Sequence, residues 1–298
     1  MKTNVILAGD NSEVLKGFEP ESIDLSVTSP PYDNLRSYKG FSFNFQSLAF
    51  QLFRVAKNGG LLVWIVDDET KDGARSCTSY RQLLYFVDIG FQLYEDMVYK
   101  KNTSGYPPSN HYENVAEKMF VLSKGKPKTI NLLKDKKNKW TGTSNFGVRT
   151  NRQQDGSLKE RGKSMVAPFG IRQNIWEYPT GKGYSASDDF AYQHPAIFPE
   201  ALARDHILSW SNEGDIVLDP FSGSGTTLKM AKMLSRQYIG IDISPEYVTL
   251  AEKRLLATNV PLFGQGRGLT PREPDNGESA PSQAFSTPDT LFDLEGLS

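Results

Sequence analysis

The sequence is poor in cysteine and histidine. Cys77 is the only cysteine among 298 residues, so neither a disulfide within the chain nor a cysteine-based metal cluster can form. The three histidines, His111, His194 and His206, are too scattered along the chain to suggest a metal site, and we predict no metal. So little cysteine suits a reducing compartment, and we expect the protein in the cytoplasm.

Long hydrophobic runs and a strong net charge are also missing. No apolar stretch approaches the roughly 18 residues that a membrane-spanning helix needs, and the N-terminal apolar segment is too short for a signal peptide. The formal net charge is −1, but residues 264–298 hold two arginines and six acids, so the rest of the chain is mildly basic. Any contact with nucleic acid must therefore come from a local patch.

Apolar segments with strand and helix patterns alternate along the chain. Helix 45–57 is expected to stop at Asn58-Gly59-Gly60, and the unbroken apolar run 61–66 predicts a strand covered on both faces. This alternation predicts an α/β fold with a mostly parallel, doubly wound sheet. The predicted strands are 4–8, 23–28, 61–66, 91–99, 117–123, 215–219 and 238–242, and the predicted helices are 45–57, 79–88, 195–210, 226–234 and 245–257.

A glycine-rich segment, Phe221-Ser222-Gly223-Ser224-Gly225, follows a predicted strand and opens a helix. Glycines allow a ligand to approach the backbone, and a helix N-terminus offers unpaired N–H groups. Asp242 ends the next strand, where an acid can hold the hydroxyls of a ribose. A phosphate-binding loop would need lysine where Thr226 stands, and a dinucleotide loop would need glycine where Leu228 stands. The pattern predicts a nucleoside-type ligand; a tight turn without a ligand is the alternative.

The tetrapeptide Ser29-Pro30-Pro31-Tyr32 follows the predicted strand 23–28. Adjacent prolines cannot continue a strand ladder, so the chain should leave the sheet at its carboxyl edge, where open α/β folds bind ligands. The Ser29 hydroxyl and the Pro30 carbonyl can accept hydrogen bonds from an NH₂ group, and Tyr32 can stack on the face of a flipped base. The alternative is a plain turn, because Pro-Pro before an aromatic residue is common in loops.

Together the two motifs resemble those of the DNA amino-methyltransferases, whose catalytic motif is (D/N/S)-P-P-(Y/F/W) and whose cofactor motif is F-x-G-x-G. The catalytic motif comes first, as in the permuted β group, and the resemblance covers roughly residues 1–260. It implies a Rossmann-like S-adenosylmethionine-dependent methyltransferase fold with circularly permuted motif order and an inserted target-recognition region. The expected parts are a catalytic half (1–123), a basic insertion (124–175), a cofactor-binding half (176–260) and a disordered tail (261–298).

The resemblance also assigns roles to residues. S-adenosylmethionine would lie over Gly223-Ser224-Gly225, with its ribose at Asp242 and its adenine beside Ile243. Asp219 would either orient the loop or face the methionine ammonium group, and both alternatives stay open. The expected cofactor-binding residues are Asp10, His194, Phe198, Asp219, Phe221, Ser222, Gly223, Ser224, Gly225, Thr226, Asp242 and Ile243.

The expected reaction is methylation of an exocyclic amine. Ser29, Pro30, Pro31 and Tyr32 would hold the base, and Ser29 and Pro30 would aim the amine's lone pair at the methyl group. Cys77 lies outside any Pro-Cys pattern, so covalent attack on a ring carbon is not expected. Members with serine at the first motif position mostly modify cytosine N4, which is the prediction here. The alternatives are adenine N6, RNA as substrate, or a non-catalytic DNA-binding subunit.

The segment 124–175 is rich in lysine and arginine and loses the apolar period. In the family this position carries the target-recognition region, so we expect it to bind double-stranded DNA rather than to be a solvated surface loop. A cognate restriction endonuclease and a second copy of the chain are further candidate partners. The expected DNA-binding residues are Lys134, Lys136, Lys137, Lys139, Arg149 and Arg152.

Overall fold

The computed structural model describes residues 1–31, 43–102, 110–144, 149–161, 165–194 and 197–259. Most of the strands form one eight-stranded sheet, and the others form short two-stranded ribbons. The strands are β1 (Val5–Ala8), β2 (Ile23–Thr28), β3 (Ala56–Val66), β4 (Thr70–Lys71), β5 (Ala74–Arg75), β6 (Gln92–Lys100), β7 (Ala116–Ser123), β8 (Lys136–Lys137), β9 (Arg149–Arg152), β10 (Leu158–Arg161), β11 (Phe169–Gly170), β12 (Ile175–Glu177), β13 (Ile216–Asp219) and β14 (Gln237–Asp242).

The order of strands in the large sheet is β1-β14-β13-β2-β3-β7-β6-β12. All neighbouring pairs are parallel except β3–β7 and β7–β6. The mostly parallel sheet predicted from the sequence is therefore confirmed. Because β1, β14, β13 and β2 run in the same direction, the loops after them meet at one edge, which we call the carboxyl edge.

Helices cover both faces of this sheet. Along β3, Leu62 and Trp64 pack into one buried apolar cluster, whereas Leu61 and Val63 pack into another on the opposite face. This alternation explains why the run 61–66 is apolar throughout. The helices are α1 (Asn11–Lys16), α2 (Phe45–Val55), α3 (Thr78–Asp88), α4 (Glu200–Trp210), α5 (Thr226–Met233) and α6 (Pro245–Ala257). No helix among these is long and apolar enough to cross a membrane.

The predicted end of the helix 45–57 is wrong. α2 ends at Val55, and Asn58-Gly59-Gly60 lies inside β3 rather than in a helix stop. The register between β2 and β3 is irregular here, and a Cβ on Gly60 would lie 3.0 Å from the Asp24 carbonyl oxygen. Close approach of the neighbouring strand, rather than helix termination, therefore requires this glycine.

The predicted start of the helix 195–210 is also wrong, since α4 begins at Glu200. Pro199 precedes it with extended backbone angles (φ −62°, ψ 137°), and residues 197–199 are not helical. The residue before a proline is driven toward extended geometry, so Pro199 holds the preceding backbone out of the helix. Pro195 and Ala196 lie outside the described residues, as do Tyr32 and the tail 261–298.

The basic insertion contains short strands rather than a long loop. β8 pairs with β11, and β9 pairs with β10, both antiparallel. β12 then returns to the large sheet beside β6. The Arg172 guanidinium contacts Asp135 within the insertion and joins the insertion to α4 by an ion pair of 2.6 Å with Asp205. The insertion is therefore anchored to the body of the fold at this point.

Candidate active site

The glycine loop, residues 220–225, connects β13 to α5 at the carboxyl edge. The Ser222 N–H donates to the Ile241 carbonyl at 2.9 Å, which fastens the loop to β14. Gly223 (φ +48°) and Gly225 (φ +79°) have left-handed backbone angles that disfavour side chains. The local sequence therefore forms a compact strand-to-helix turn with exposed backbone groups.

Neighbouring atoms leave no room for side chains at these two glycines. A Cβ on Gly223 would lie 3.0 Å from Nε2 of His194, and one on Gly225 would lie 3.0 Å from Cβ of Ala251. The His194 ring in turn packs edge-on against Tyr247, with 4.4 Å between ring centroids. The structure thus brings His194 directly to the glycine loop, as the sequence-based assignment requires.

The hydroxyl side chains of the loop point into the protein. Ser222, Ser224 and Thr226 are each less than 5% exposed. The Arg254 guanidinium donates to Thr226 Oγ1 at 3.0 Å and to the Ser224 carbonyl at 3.0 Å. These residues therefore offer backbone groups, rather than hydroxyls, to a ligand over the loop. Phe221 packs edge-on against Phe43 with ring centroids 4.9 Å apart, which anchors the loop in the core.

Asp242 ends β14 and fixes two backbone segments. One carboxylate oxygen accepts from the Gly223 N–H at 2.8 Å, and the other accepts from the Ser244 N–H at 2.8 Å. Burial raises the pKa of this carboxyl above its usual value. Each oxygen keeps a second lone pair, so the carboxylate can still accept hydrogen bonds from a diol. Ile243 follows it with 39% of its surface exposed, where a flat apolar ring can rest.

Asp219 ends β13 and is 2% exposed. One of its carboxylate oxygens accepts from the Thr28 hydroxyl at 2.7 Å and from the Phe221 N–H at 3.1 Å. Burial raises the pKa of this carboxyl to about 6, although these hydrogen bonds oppose the change. The geometry therefore favours the loop-orienting alternative, because the carboxylate ties the glycine loop to the end of β2.

The Ser29-Pro30-Pro31 turn leaves β2 at the same edge. β2 pairs with β13 through Leu25 and Ser26, so the turn begins beside the glycine loop. Ser29 and Pro31 are half-buried and Pro30 is buried. The preceding residue, Thr28, is held by Asp219 as described above. The end of β2 and the glycine loop are thus connected, although 191 positions separate the two hydrogen-bonded residues in the sequence.

Asp10 lies at the far side of the site as the N-cap of α1. Its carboxylate accepts from the Ser12 hydroxyl at 2.6 Å and from the Glu13 N–H at 3.1 Å. The Ser12 hydrogen bond, opposed by burial, keeps the pKa of Asp10 below its usual value. Because Ala8 pairs with Asp242 at the ends of β1 and β14, Asp10 lies near the predicted ribose site.

A group of two buried cations and two half-buried carboxylates holds the segment before α4 against the glycine loop. The Lys229 ammonium contacts Asp188 at 2.6 Å and Glu200 at 2.6 Å, and also the Ser187 hydroxyl at 2.8 Å. The Arg254 guanidinium contacts the same two carboxylates at 3.0 and 2.7 Å. We call Asp188, Glu200, Lys229 and Arg254 the charged clamp.

The charged clamp anchors the segment that carries His194. The segment from Tyr178 to Pro199 contains only one short 3₁₀ helix, Ala191–Gln193, among its described residues, so few backbone ladders hold it. Arg254 contacts both this segment and the glycine loop. Sequence analysis missed these four residues, since no local pattern links charges 41 or 66 positions apart. Phe198 packs against the apolar cluster that contains Leu202.

The predicted DNA-binding lysines lie together on the insertion. Lys136 and Lys137 form β8, and Lys134 and Lys139 flank it, all with exposed side chains. Arg152 is exposed on the separate β9–β10 ribbon. Arg149 belongs to the same ribbon. The structure therefore places the six predicted residues on two short ribbons, outside the carboxyl-edge site.

These features define a nucleoside-binding α/β domain with a candidate amine-recognition turn beside its cofactor loop. A family model described as DNA methylase matches residues 23–253. The orphan methyltransferase M.BamHII of Bacillus amyloliquefaciens is 53% identical over 235 residues, which cover 78% of this chain and 89% of that protein. A relative whose name specifies adenine also matches, at 27% identity.

Solved structures agree with this result. The PvuII DNA methyltransferase (cytosine-N4-specific) superposes with a TM-score of 0.63 at 22% identity, covering 88% of this chain and 89% of that one. A DNA modification methylase of Thermus thermophilus, complexed with S-adenosyl-L-methionine, gives a TM-score of 0.57 at 24% identity, covering 87% and 95%. The chain belongs to the N4/N6 DNA methylase family and is an S-adenosylmethionine-dependent DNA methyltransferase.

Proposed function

We propose that the chain methylates N4 of cytosine in double-stranded DNA. The observation that carries this proposal is Ser29, a hydroxyl where adenine-specific members usually have a carboxylate or an amide. The hydroxyl is half-buried at the end of β2. A hydroxyl is a weaker acceptor than a carboxylate. The hydroxyl suits cytosine, because the amine of this smaller ring must reach the same methyl group.

The chain's own residues would hold S-adenosylmethionine at the glycine loop, where a Cβ on Gly223 or Gly225 would lie only 3.0 Å from its nearest neighbour. Asp242 would accept the ribose hydroxyls and Ile243 would flank the adenine ring. His194 would close the site at the loop, while Asp219 would orient the loop rather than touch the ligand. Asp10, Phe198, Phe221, Ser222, Ser224 and Thr226 would shape the site through backbone groups and packing.

S-adenosylmethionine supplies a methyl group on a positively charged sulfur. Ser29 Oγ and the Pro30 carbonyl would accept the two amine hydrogens, which draws the nitrogen lone pair out of conjugation and aims it at that methyl group. Both oxygens then face the positive charge that develops on the nitrogen during transfer, and the methylated nitrogen would lose one of its two protons to solvent to give the neutral product. The rigid Pro30-Pro31 turn keeps this geometry fixed, and Tyr32 would stack on the flipped base.

The test is the identity of the methylated nucleoside. Purified protein would be incubated with unmethylated duplex DNA and S-adenosylmethionine, and the DNA would then be digested to nucleosides. Chromatography separates N4-methyldeoxycytidine from its isomer C5-methyldeoxycytidine, and mass spectrometry then identifies each methylated nucleoside. We expect N4-methyldeoxycytidine, and a loss of at least about 100-fold in turnover for Ser29→Ala, since one oriented acceptor is removed. N6-methyldeoxyadenosine would overturn the assignment of the base.

Two controls separate the remaining alternatives. Methylation of RNA in preference to DNA would contradict the substrate proposal, and cofactor binding without any methylated product would favour a non-catalytic DNA-binding subunit. A second copy or a cognate restriction endonuclease as partner stays a prediction. Sedimentation of the purified chain with and without duplex DNA tests the former, and the DNA sequence around the mapped methylated site would show what an endonuclease must cut.

A further inference from the structure

Trp140 is exposed on a turn of the basic insertion. Its side chain is 67% exposed, whereas Trp64, Trp176 and Trp210 are each at most 5% exposed. Met165, which bridges to Ser144, and Phe169 of β11 lie on the facing segment and are also more than half exposed. Large apolar groups that are exposed together commonly mark a surface that a partner covers.

Hydrogen bonds hold the turn that carries Trp140. The Trp140 carbonyl accepts from the Thr143 hydroxyl at 2.7 Å. The facing residues 166–168 supply further acceptors. The Asn138 N–H donates to the Pro168 carbonyl at 2.9 Å, the Asn138 side-chain amide to the Ala167 carbonyl at 2.9 Å, and the Gly142 N–H to the Val166 carbonyl at 3.1 Å. A braced turn presents an indole at little conformational cost on binding, because few torsions need to be fixed.

The surroundings of Trp140 are positively charged. Lys136, Lys137 and Lys139 are exposed next to it. The only acid among residues 124–140 is Asp135, and its carboxylate is occupied by Arg172 at 2.9–3.0 Å from the guanidinium Nε. The local charge therefore fits a polyanion rather than an apolar protein surface.

We propose that Trp140 contacts bases of the DNA target while Lys136 and Lys137 contact the phosphates beside it. This inference rests on the proposed function, because it takes duplex DNA as the partner. A two-stranded ribbon fits the major groove, where an apolar side chain can meet a thymine methyl group or the face of an unstacked base. Lysines next to it supply attraction that does not depend on sequence.

Fluorescence tests the contact directly, because Trp140 is the only exposed tryptophan of the four. Acrylamide should quench one accessible component in the free protein, and Trp140→Phe should remove that component. Saturating duplex DNA carrying the site that the wild-type protein methylates should shield it. Unchanged quenching at saturating DNA would overturn the inference. If the accessible component becomes shielded as the protein concentration rises without DNA, the surface mediates self-association, and the inference is overturned as well.

Binding measurements separate the tryptophan from the lysines. Trp140→Ala should weaken binding to that duplex by about 5- to 100-fold, the range for losing one aromatic contact to a base, without changing the salt dependence. Trp140→Phe should recover most of the affinity. The double variant Lys136→Ala/Lys137→Ala should instead reduce the slope of log Kd against log salt by about 2.

Cofactor affinity gives the final control. Trp140→Ala and the double variant Lys136→Ala/Lys137→Ala should bind S-adenosylmethionine like the wild type, since the insertion lies outside the carboxyl-edge site. Normal DNA binding by Trp140→Ala would overturn the base contact and leave the proposed function intact. A wild-type protein that methylates no duplex DNA would instead overturn the proposed function.

Discussion

The carboxyl edge and the basic insertion are built in opposite ways. At the edge, the polar groups that shape the site are buried and bonded to one another, as with Asp219 at 2% and Arg254 at 1% exposure. In the insertion, strands are only two to four residues long and most charges face solvent. Substitutions at the edge should therefore disturb folding and cofactor binding together, whereas substitutions in the insertion should leave cofactor binding unchanged.

The largest expected effect is at the charged clamp. Arg254→Met would leave Asp188 and Glu200 with one cation, and loss of one member of a buried ion network costs about 3–5 kcal/mol of unfolding free energy. Cofactor affinity should fall with it, because Arg254 also holds the glycine loop. Chemical denaturation and calorimetric titration with S-adenosylmethionine would measure both quantities.

Two controls make this result interpretable. Arg254→Lys should recover part of the cofactor affinity, because the ammonium keeps the positive charge but not the planar set of guanidinium donors. Lys16→Met removes an exposed ion pair with Glu13 and should change stability by less than about 1 kcal/mol. If Arg254→Met unfolds no more easily than Lys16→Met, the contrast between buried edge and exposed surface is wrong.

A second effect concerns pH at Asp219. Its folded pKa is raised to about 6 from 3.8, so the folded state binds the proton more tightly than the unfolded state. This contribution to stability is present below about pH 4 and is lost as the pH rises to about 6, by about 3 kcal/mol in total. Asp219→Asn keeps an oxygen acceptor for Thr28 and Phe221 and should remove that decline.

Denaturation of wild type and Asp219→Asn from about pH 4 to about pH 7 checks this. Relative to the wild type, the unfolding free energy of the variant should rise between about pH 4 and about pH 6. The difference between the two proteins should then stay constant up to about pH 7. A difference that does not depend on pH would show that the Asp219 carboxyl titrates normally.

The smallest effect compares one glycine from each region. Gly223→Ala should destabilise the protein by about 1–2 kcal/mol, because the backbone at this position is left-handed and the new methyl group would contact His194. The same substitution should weaken cofactor binding at least about 10-fold. Gly156→Ala has similar strain at φ +84°, but nothing lies within 4 Å of its Cβ. It should lower stability comparably and leave cofactor affinity unchanged. Equal loss of affinity in both would contradict the contact at Gly223.

Sequence reasoning performed well where local patterns dominate. β2 and α6 have the predicted bounds, and the glycine loop connects a strand and a helix as expected. It failed at Asn58-Gly59-Gly60 and at Pro199, because the neighbouring strand and the proline geometry, not the apolar period, decide those boundaries. The charged clamp could not be foreseen, since its pairing depends on how distant segments pack.

The hydrogen bond between Thr28 and Asp219 has a consequence for biosynthesis. β2 lies between β3 and β13 in the sheet. β3 is synthesised soon after β2, whereas β13 is synthesised much later, since the bonded residues Thr28 and Asp219 are 191 positions apart. A ribosome must therefore synthesise most of the chain before β2 acquires its second neighbour. Until then one edge of a buried strand is open to solvent and to other nascent chains. Methylation can begin only after β13 has closed that gap and the glycine loop after it has been made, so shorter chains cannot methylate DNA.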